Sequence, residues 1–277
     1  MTMDTDLTHL LYFIVYQVFP YVVITVWLVG SFIRFLTHPY TVKSQSSELL
    51  GGKKEINWGA RFFHVGVIGL LFGHLFGLFV PKQFLLDFGI TPQMTQVLEI
   101  IAGGACAVLC LIGITLMIHR RITNPRIRKT SRPSDWLVLV VVGAVLIMGA
   151  TSVVNAALYD KSGEGLLDFV NWAIALVTLQ PDAYTHLIDA ATPQKIHIFI
   201  GLCVFLIVPF TRLIHIWSGY ASPIYLMRNM QKMRMNGAPM GSDHPLIARC
   251  ALENESWNDP ARITSVICCG LLVDCLA

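Results

Sequence analysis

Four histidines lie within long apolar stretches of the sequence, as two pairs: His64 with His74, and His197 with His215. Ionisable side chains are costly at membrane depth, so histidines in such stretches indicate a functional site. A neutral imidazole is a good axial ligand for haem iron, and two imidazoles fill both axial positions, which suits electron transfer rather than oxygen binding. Two histidines on each of two segments therefore favour two bis-histidine haems. Interhelical hydrogen bonding or a proton path is the alternative that these residue types leave open.

Five stretches without Asp, Glu, Lys or Arg predict the elements that hold these histidines. They cover residues 7–33, 62–81, 100–119, 136–159 and 196–211. A helix needs about 20 apolar residues to cross the hydrocarbon core, and the apolar pattern of the last stretch continues past Arg212. The sequence thus predicts an all-α membrane protein, a bundle of five transmembrane helices. Residues 169–181 are too few to span and predict a helix in the membrane interface that ends at Pro181.

The composition agrees with a membrane protein. Of 277 residues only 13% are charged, and 55% are hydrophobic. Soluble domains carry about 25% charged residues, so an ordinary soluble enzyme and a disordered chain are excluded. The net charge of +3 is too small for a nucleic-acid binder. The sequence also lacks the CxxCH pattern of a covalently attached c-type haem.

The basic residues predict the orientation of the bundle. They cluster after the first, third and fifth stretches, in residues 43–61, 120–132 and 228–234. Basic loops face the cytoplasm, which predicts a periplasmic N-terminus and a cytoplasmic C-terminus. Helix direction then places His74 and His197 at similar depth near the outer face, and His64 and His215 near the inner face. Pro209 lies between His197 and His215, where we expect it to kink a continuous fifth helix.

Arginines and glycines flank the predicted haem positions. Arg120, Arg121 and Arg212 lie at the inner ends of the third and fifth helices, where they can form salt bridges to the propionates of an inner haem. The positive charge bias of cytoplasmic segments is the alternative explanation. Glycines in the second and third helices let either a macrocycle or a neighbouring helix approach closely.

Four motifs connect these residues to a known family. The segments FFHVGVIGLLFGHLFGL, AGGACAVLCLIG, HRRITNPRIR and TRLIHIWS resemble the gamma subunit of membrane-bound respiratory nitrate reductase, a di-haem b-type cytochrome. The likeness runs from about residue 10 to residue 228 and includes all five predicted spans.

The resemblance implies a multi-pass subunit of the bacterial cytoplasmic (inner) membrane that carries two b-type haems. Quinol is oxidised near the outer, distal haem, and electrons pass through the inner, proximal haem to an iron–sulfur beta subunit and a molybdenum alpha subunit, where nitrate is reduced. The implied residues are, for the distal iron, His74 and His197; for the proximal iron, His64 and His215; for the propionates, Arg121 and Arg212; and for the border of the quinol site, Gly73 and His74.

The sequence departs from the family in two places. A Lys that commonly precedes the third helix and takes part in quinol binding is replaced by Met94 or Thr95, with Gln93, Gln96 or Lys82 as possible substitutes. Residues 236–277 fall outside the resemblance. We therefore divide the chain into a di-haem transmembrane domain, 1–235, and a cytoplasmic tail of unknown role, 236–277.

Two other functions compete with this one. A cytochrome b subunit of a hydrogenase, a formate dehydrogenase or a sulfite-reduction complex would share the haems and differ in its partner. A transporter or proton channel would use the histidines as a relay. Transporters often contain internal repeats, and the sequence has none.

Overall fold

The computed structural model describes residues 2–38, 41–42, 53–80, 86–160 and 163–217, and every prediction for residues 218–277 lies outside this part. The described chain is helical and contains no strand. The α-helices are Thr2–Phe13, Phe19–Thr37, Lys53–Phe79, Pro92–Leu98, Gly104–Thr123, Pro125–Thr130, Pro133–Tyr159, Glu164–Val177 and Thr192–Ile207. The π-helical turns are Ile14–Val18 and Glu99–Gly103, and the 3-10 turns are Ala183–Leu187, Val208–Phe210 and Arg212–Trp217.

Five helices are long and apolar enough to cross a membrane, which confirms the predicted bundle. We number them span 1 to span 5 in chain order: Leu7–Thr37, Trp58–Phe79, Pro92–Thr123, Pro133–Tyr159 and Thr192–Phe210. Spans 1 and 3 each continue through one of the π-helical turns. Span 3 begins eight residues before its predicted stretch because Thr91 caps it, accepting a hydrogen bond from the backbone of Met94 at 3.3 Å, and Pro92 follows at the first helical position.

Spans 2 and 3 pack backbone against backbone through small residues. A Cβ on Gly66 would lie 2.6 Å from the carbonyl oxygen of Cys106, and a Cβ on Gly113 would lie 2.8 Å from that of Gly59. Cys110 is fully buried in this interface. Close approach through small residues is how membrane helices gain packing energy, since lipid offers no hydrophobic driving force between them.

The short apolar helix Glu164–Val177 is docked against span 1. The indole of Trp172 donates to the carbonyl oxygen of Tyr16 at 2.9 Å, within the π-helical turn of that span. Gln17 donates to the carbonyl oxygen of Gln180 at 2.7 Å and accepts from the backbone of Tyr184 at 3.1 Å. The prediction of a helix too short to span is confirmed, but the helix ends at Val177 and not at Pro181.

The C-terminal end of span 5 differs from the prediction. A kinked helix continuing through His215 is wrong: the α-helix ends at Ile207, a 3-10 turn carries Pro209, and a second 3-10 turn carries His215. Proline offers no N–H to continue the helix, and its ring clashes with the preceding turn. The carbonyls released there are bound from span 1, where Arg34 Nη1 donates to Pro209 at 2.8 Å and to Thr211 at 2.9 Å.

We call the end of the bundle at which spans 1, 3 and 5 finish and spans 2 and 4 begin the basic end. It carries Arg34, Arg120, Arg121 and Arg212. The other end, with residues 86–91 and 178–191, is the opposite end.

Candidate haem centres

The structure brings the four intramembrane histidines together as two cross-span pairs. The ring centroids of His64 and His215 lie 5.9 Å apart, near the basic end. Those of His74 and His197 also lie 5.9 Å apart, nearer the opposite end. These are the same two pairs that helix direction predicts, whereas iron ligation by them stays a prediction.

All four rings make the same kind of hydrogen bond, from Nδ1 to a backbone carbonyl oxygen. His64 bonds to Ala60 at 2.8 Å and His74 to Leu70 at 2.6 Å. The bonds from His197 to Val145 and from His215 to Arg212 are 3.0 and 2.7 Å long. Because a carbonyl oxygen can only accept, each Nδ1 carries the hydrogen, and each Nε2 carries the lone pair. Metal-ligating histidines are typically oriented in this way by a bond from the other ring nitrogen.

The spacing of each pair fits a bis-imidazole iron centre. With metal–nitrogen bonds of about 2 Å, two imidazoles on opposite faces of one iron hold their ring centroids roughly 6 Å apart. A haem supplies four nitrogens of its own, so the protein contributes only two ligands per iron. Within the described ranges no three His, Cys, Asp or Glu side chains converge into a protein-only metal site. The donor set therefore suits a macrocyclic iron better than a bare ion.

Glycines leave space around the pair nearer the opposite end. Nothing lies within 4 Å of the position of a Cβ on Gly73, Gly103 or Gly104. By contrast, a Cβ on Gly66 or Gly69 would meet span 3 at 2.6 Å. Spans 2 and 3 are thus packed tightly toward the basic end and leave room beside His74, where a flat macrocycle could lie.

At the basic end, a buried carboxylate joins the two arginines predicted to bind propionates. Asp135 Oδ1 lies 2.7 Å from Arg212 Nε, and Asp135 Oδ2 lies 3.3 Å from Arg121 Nη1. The Asp135 side chain is only 2% exposed. Burial lowers the pKa of the Arg212 guanidinium, and the charge of Asp135 opposes that shift. The backbone carbonyl of Arg212 also accepts the hydrogen bond that orients His215. One helical turn therefore links the ion pairs of Asp135 to the pair of His64 and His215.

Asp135 is a residue of the site that the sequence did not predict, because it lies one residue before a charge-free stretch and marks the predicted boundary of a span. The signal that could have found it is an acidic residue three positions after the basic run of residues 120–132.

An apolar cleft opens at the opposite end, between spans 2 and 3 and the helix Glu164–Val177. Its walls include Gly77, Ile90, Thr95, Leu166, Leu167 and Val170. Gly77 is one helical turn after His74, and both Gly73 and His74 are exposed. Of the residues considered in place of the missing Lys, Gln96 is buried and donates to the carbonyl oxygen of Asp160 at 2.6 Å, and Lys82 lies outside the described residues.

Comparisons with known proteins agree with the resemblance found in the motifs. The profile of the family "Nitrate reductase gamma subunit" matches residues 12–236. The respiratory nitrate reductase 1 gamma chain of Escherichia coli (strain K12) is 34% identical over 219 residues, which cover 79% of this chain and 95% of the relative. The nitrate reductase gamma chain of Bacillus subtilis (strain 168) is 33% identical over 208 residues, 74% of this chain and 91% of the relative. With the match extending over all five spans and both histidine pairs, the chain belongs to the nitrate reductase gamma subunit family.

Proposed function

We propose that this chain is the quinol-oxidising, di-haem b cytochrome subunit of a respiratory nitrate reductase in the bacterial cytoplasmic membrane. The observation that carries the proposal is the pair of 5.9 Å histidine contacts, each ring oriented by an Nδ1–carbonyl hydrogen bond, in a member of this family. When bound, two b-type haems supply one-electron carriers at two depths of the membrane.

The chain's own residues have separate tasks in this proposal. His74 and His197 hold the distal iron, and His64 and His215 hold the proximal iron. Arg121 and Arg212 bind propionates of the proximal haem, and Asp135 keeps both guanidinium groups in place. Quinol binds beside Gly73 and His74.

The partners follow from the family and the charge pattern. The relatives are gamma chains of nitrate reductases. We assign to this chain an iron–sulfur beta subunit and a molybdenum alpha subunit, with nitrate reduced on the latter. By the bias of basic residues toward the cytoplasm, the basic end faces those partners, the N-terminus is periplasmic and the C-terminus is cytoplasmic. Membrane lipid surrounds the spans, and residues 236–277 form the cytoplasmic tail.

Reduced-minus-oxidised spectroscopy tests the proposal directly. Membranes that carry the chain should contain two b-type haems per polypeptide. His74→Ala should remove the distal haem and leave the proximal haem visible, while the control His38→Ala, an exposed histidine at the end of span 1, should retain both. A chain without haem would refute the cytochrome function. Loss of both haems from a normally assembled His74→Ala variant would refute the pairing.

Co-purification separates this function from the alternatives. A hydrogenase, formate dehydrogenase or sulfite-reduction cytochrome would purify with a different catalytic subunit. Co-purification from native membranes should recover a molybdenum protein that reduces nitrate, and recovery of a nickel or sulfite-reducing enzyme would contradict the assignment.

A further inference from the structure

Span 3 holds a carboxylate inside the membrane-spanning part of the chain. Glu99 lies seven residues after the start of the span at Pro92, at the first position of the π-helical turn Glu99–Gly103. Among the described residues, no hydrogen bond or ion pair is formed by its side chain. An ionisable residue within a span is expensive to keep and indicates function, and π-helical turns are frequent at functional sites. Asp135, the other acidic residue within the spans, differs because it lies between two arginines.

The Glu99 carboxylate lies beside Gly77, one of the residues that line the apolar cleft. A Cβ on Gly77 would be 2.6 Å from Glu99 Oε1, so the carboxylate rests against the bare backbone of Gly77. Gly77 is itself a wall of the cleft, and so is Thr95, which precedes Glu99 by four residues and shares its helix face. Because Gly77 has no side chain, nothing from that residue separates the carboxylate from the cleft.

The face of span 2 that lines the cleft also carries His74, a candidate haem ligand. Gly77 and His74 lie on one face of span 2, three residues apart, and the space at Gly73 continues this face. The cleft thus has an apolar lining for a ring and its tail, a carboxylate beside one of its lining residues, and a candidate iron ligand one helical turn from that residue. A mainly apolar cleft with a few convergent polar groups is a typical small-molecule site.

We propose that Glu99 is the proton acceptor for quinol bound in this cleft, an inference that rests on the proposed function. The O–H bond of the quinol hydroxyl nearest span 3 breaks as an Oε–H bond forms on Glu99, which leaves a hydroquinone monoanion. The monoanion then gives up two electrons one at a time, and the b-type haem that His74 and His197 would hold would accept them. The second hydroxyl proton goes to water, and the product is the quinone. Removing a proton first makes the ring easier to oxidise.

The variant Glu99→Gln tests this proposal in the purified holo-complex with a short-chain quinol as the probe. Glutamine keeps the size and one hydrogen-bonding oxygen but cannot accept the proton. A positioned general base contributes typically 10²–10⁴-fold, so the stopped-flow rate of haem reduction at saturating quinol should fall by about 100-fold or more. Glu99→Asp should recover part of the rate. Asp182→Asn, an exposed acidic residue at the same end of the bundle but outside the cleft, should reduce haem at the parental rate.

Two further measurements separate chemistry from folding. The dithionite-reduced haem spectrum and nitrate reduction driven by a reduced viologen dye, which does not need quinol, should match the parent in Glu99→Gln. A quinol rate within twofold of the parent would overturn the proposal, as would an equal loss of haem or of dye-driven activity. If quinol fails to reduce the haems of the unsubstituted complex, the proposed function itself is refuted, and that result does not depend on the variant.

Discussion

His197 packs against the bare backbone of Gly149: a Cβ on Gly149 would lie 2.9 Å from Cε1 of the His197 ring and 3.2 Å from Nδ1. The same ring donates from Nδ1 to the carbonyl oxygen of Val145, one turn earlier in span 4, at 3.0 Å. Span 4 carries neither histidine of the pair, yet it fixes the plane of His197 from two directions. The ring orientation therefore depends on a helix that provides no ligand.

Gly149→Ala should displace His197 and weaken the distal haem. A methyl group at 2.9 Å from a ring carbon forces the imidazole to rotate, which breaks the Nδ1 bond and misdirects Nε2. We expect loss of at least half of the distal haem in difference spectra, with the haem of His64 and His215 retained. Gly143→Ala is the matched control on the same helix, because its Cβ would meet Ile114 Cδ1 at an ordinary 3.7 Å. Full retention of both haems in Gly149→Ala would contradict this role.

Asp135→Asn should destabilise the basic end and change the proximal haem. Its carboxylate is 2% exposed, while the side chains of Arg121 and Arg212 are 18% and 30% exposed. Removing one partner of a fully buried ion pair costs about 3–5 kcal/mol, and because solvent screens these arginines we expect about 2 kcal/mol of unfolding free energy. Loss of the negative charge beside two guanidinium groups also favours the reduced iron, so the proximal midpoint potential should rise by on the order of tens of millivolts.

A redox titration and denaturant unfolding of the detergent-solubilised complex measure both effects. Asp182→Asn, at the opposite end, is the control for loss of one negative charge. Unchanged potentials of both haems in Asp135→Asn would show that the ion-pair cluster is electrically separate from the proximal site.

Charge-free stretches predicted the five spans well because lipid leaves a long apolar segment few alternatives to a helix. The same rule explains what it missed. Each predicted span is a stretch without charged residues, so no charged residue can lie inside one. Glu99 and Asp135 therefore mark the predicted starts of spans 3 and 4. The structure extends spans 3 and 4 past both residues. These two acidic residues are the ones on which the proton and propionate proposals depend.

Arg34→Ala should loosen the segment that carries His215. Arg34 Nη1 donates to the carbonyl oxygens of Pro209 and Thr211, which have lost helical partners where span 5 ends. Each carbonyl left without a donor costs about 1–3 kcal/mol when buried. We expect weaker retention of the proximal haem during detergent extraction, with the distal haem unaffected. Arg126→Ala, at an exposed basic residue, is the control. Equal haem retention in both variants would contradict a positioning role for Arg34.

Local sequence could not have predicted how span 5 ends or which element holds it. Pro209 permits either a kinked helix or a helix end, and the outcome depends on a donor 175 residues away in the chain, Arg34. The docking of Trp172 on Tyr16, 156 residues apart, is non-local in the same way. Helix periodicity describes one segment at a time, so contacts of this kind become visible only when the bundle is assembled.

Gln17→Leu should undock the helix that forms one wall of the cleft. Gln17 is 6% exposed, and its amide binds both the carbonyl of Gln180 and the N–H of Tyr184. Leucine has similar size but leaves two backbone groups unsatisfied, which should lower the unfolding free energy by about 2 kcal/mol. Because Glu164–Val177 carries Leu166, Leu167 and Val170, the KM for quinol should rise while both haems stay bound. Thr25→Val is the control, since the Thr25 hydroxyl is exposed and bonds only within its own helix. A parental KM and parental stability in Gln17→Leu would show that this wall holds its position without the Gln17 hydrogen bonds.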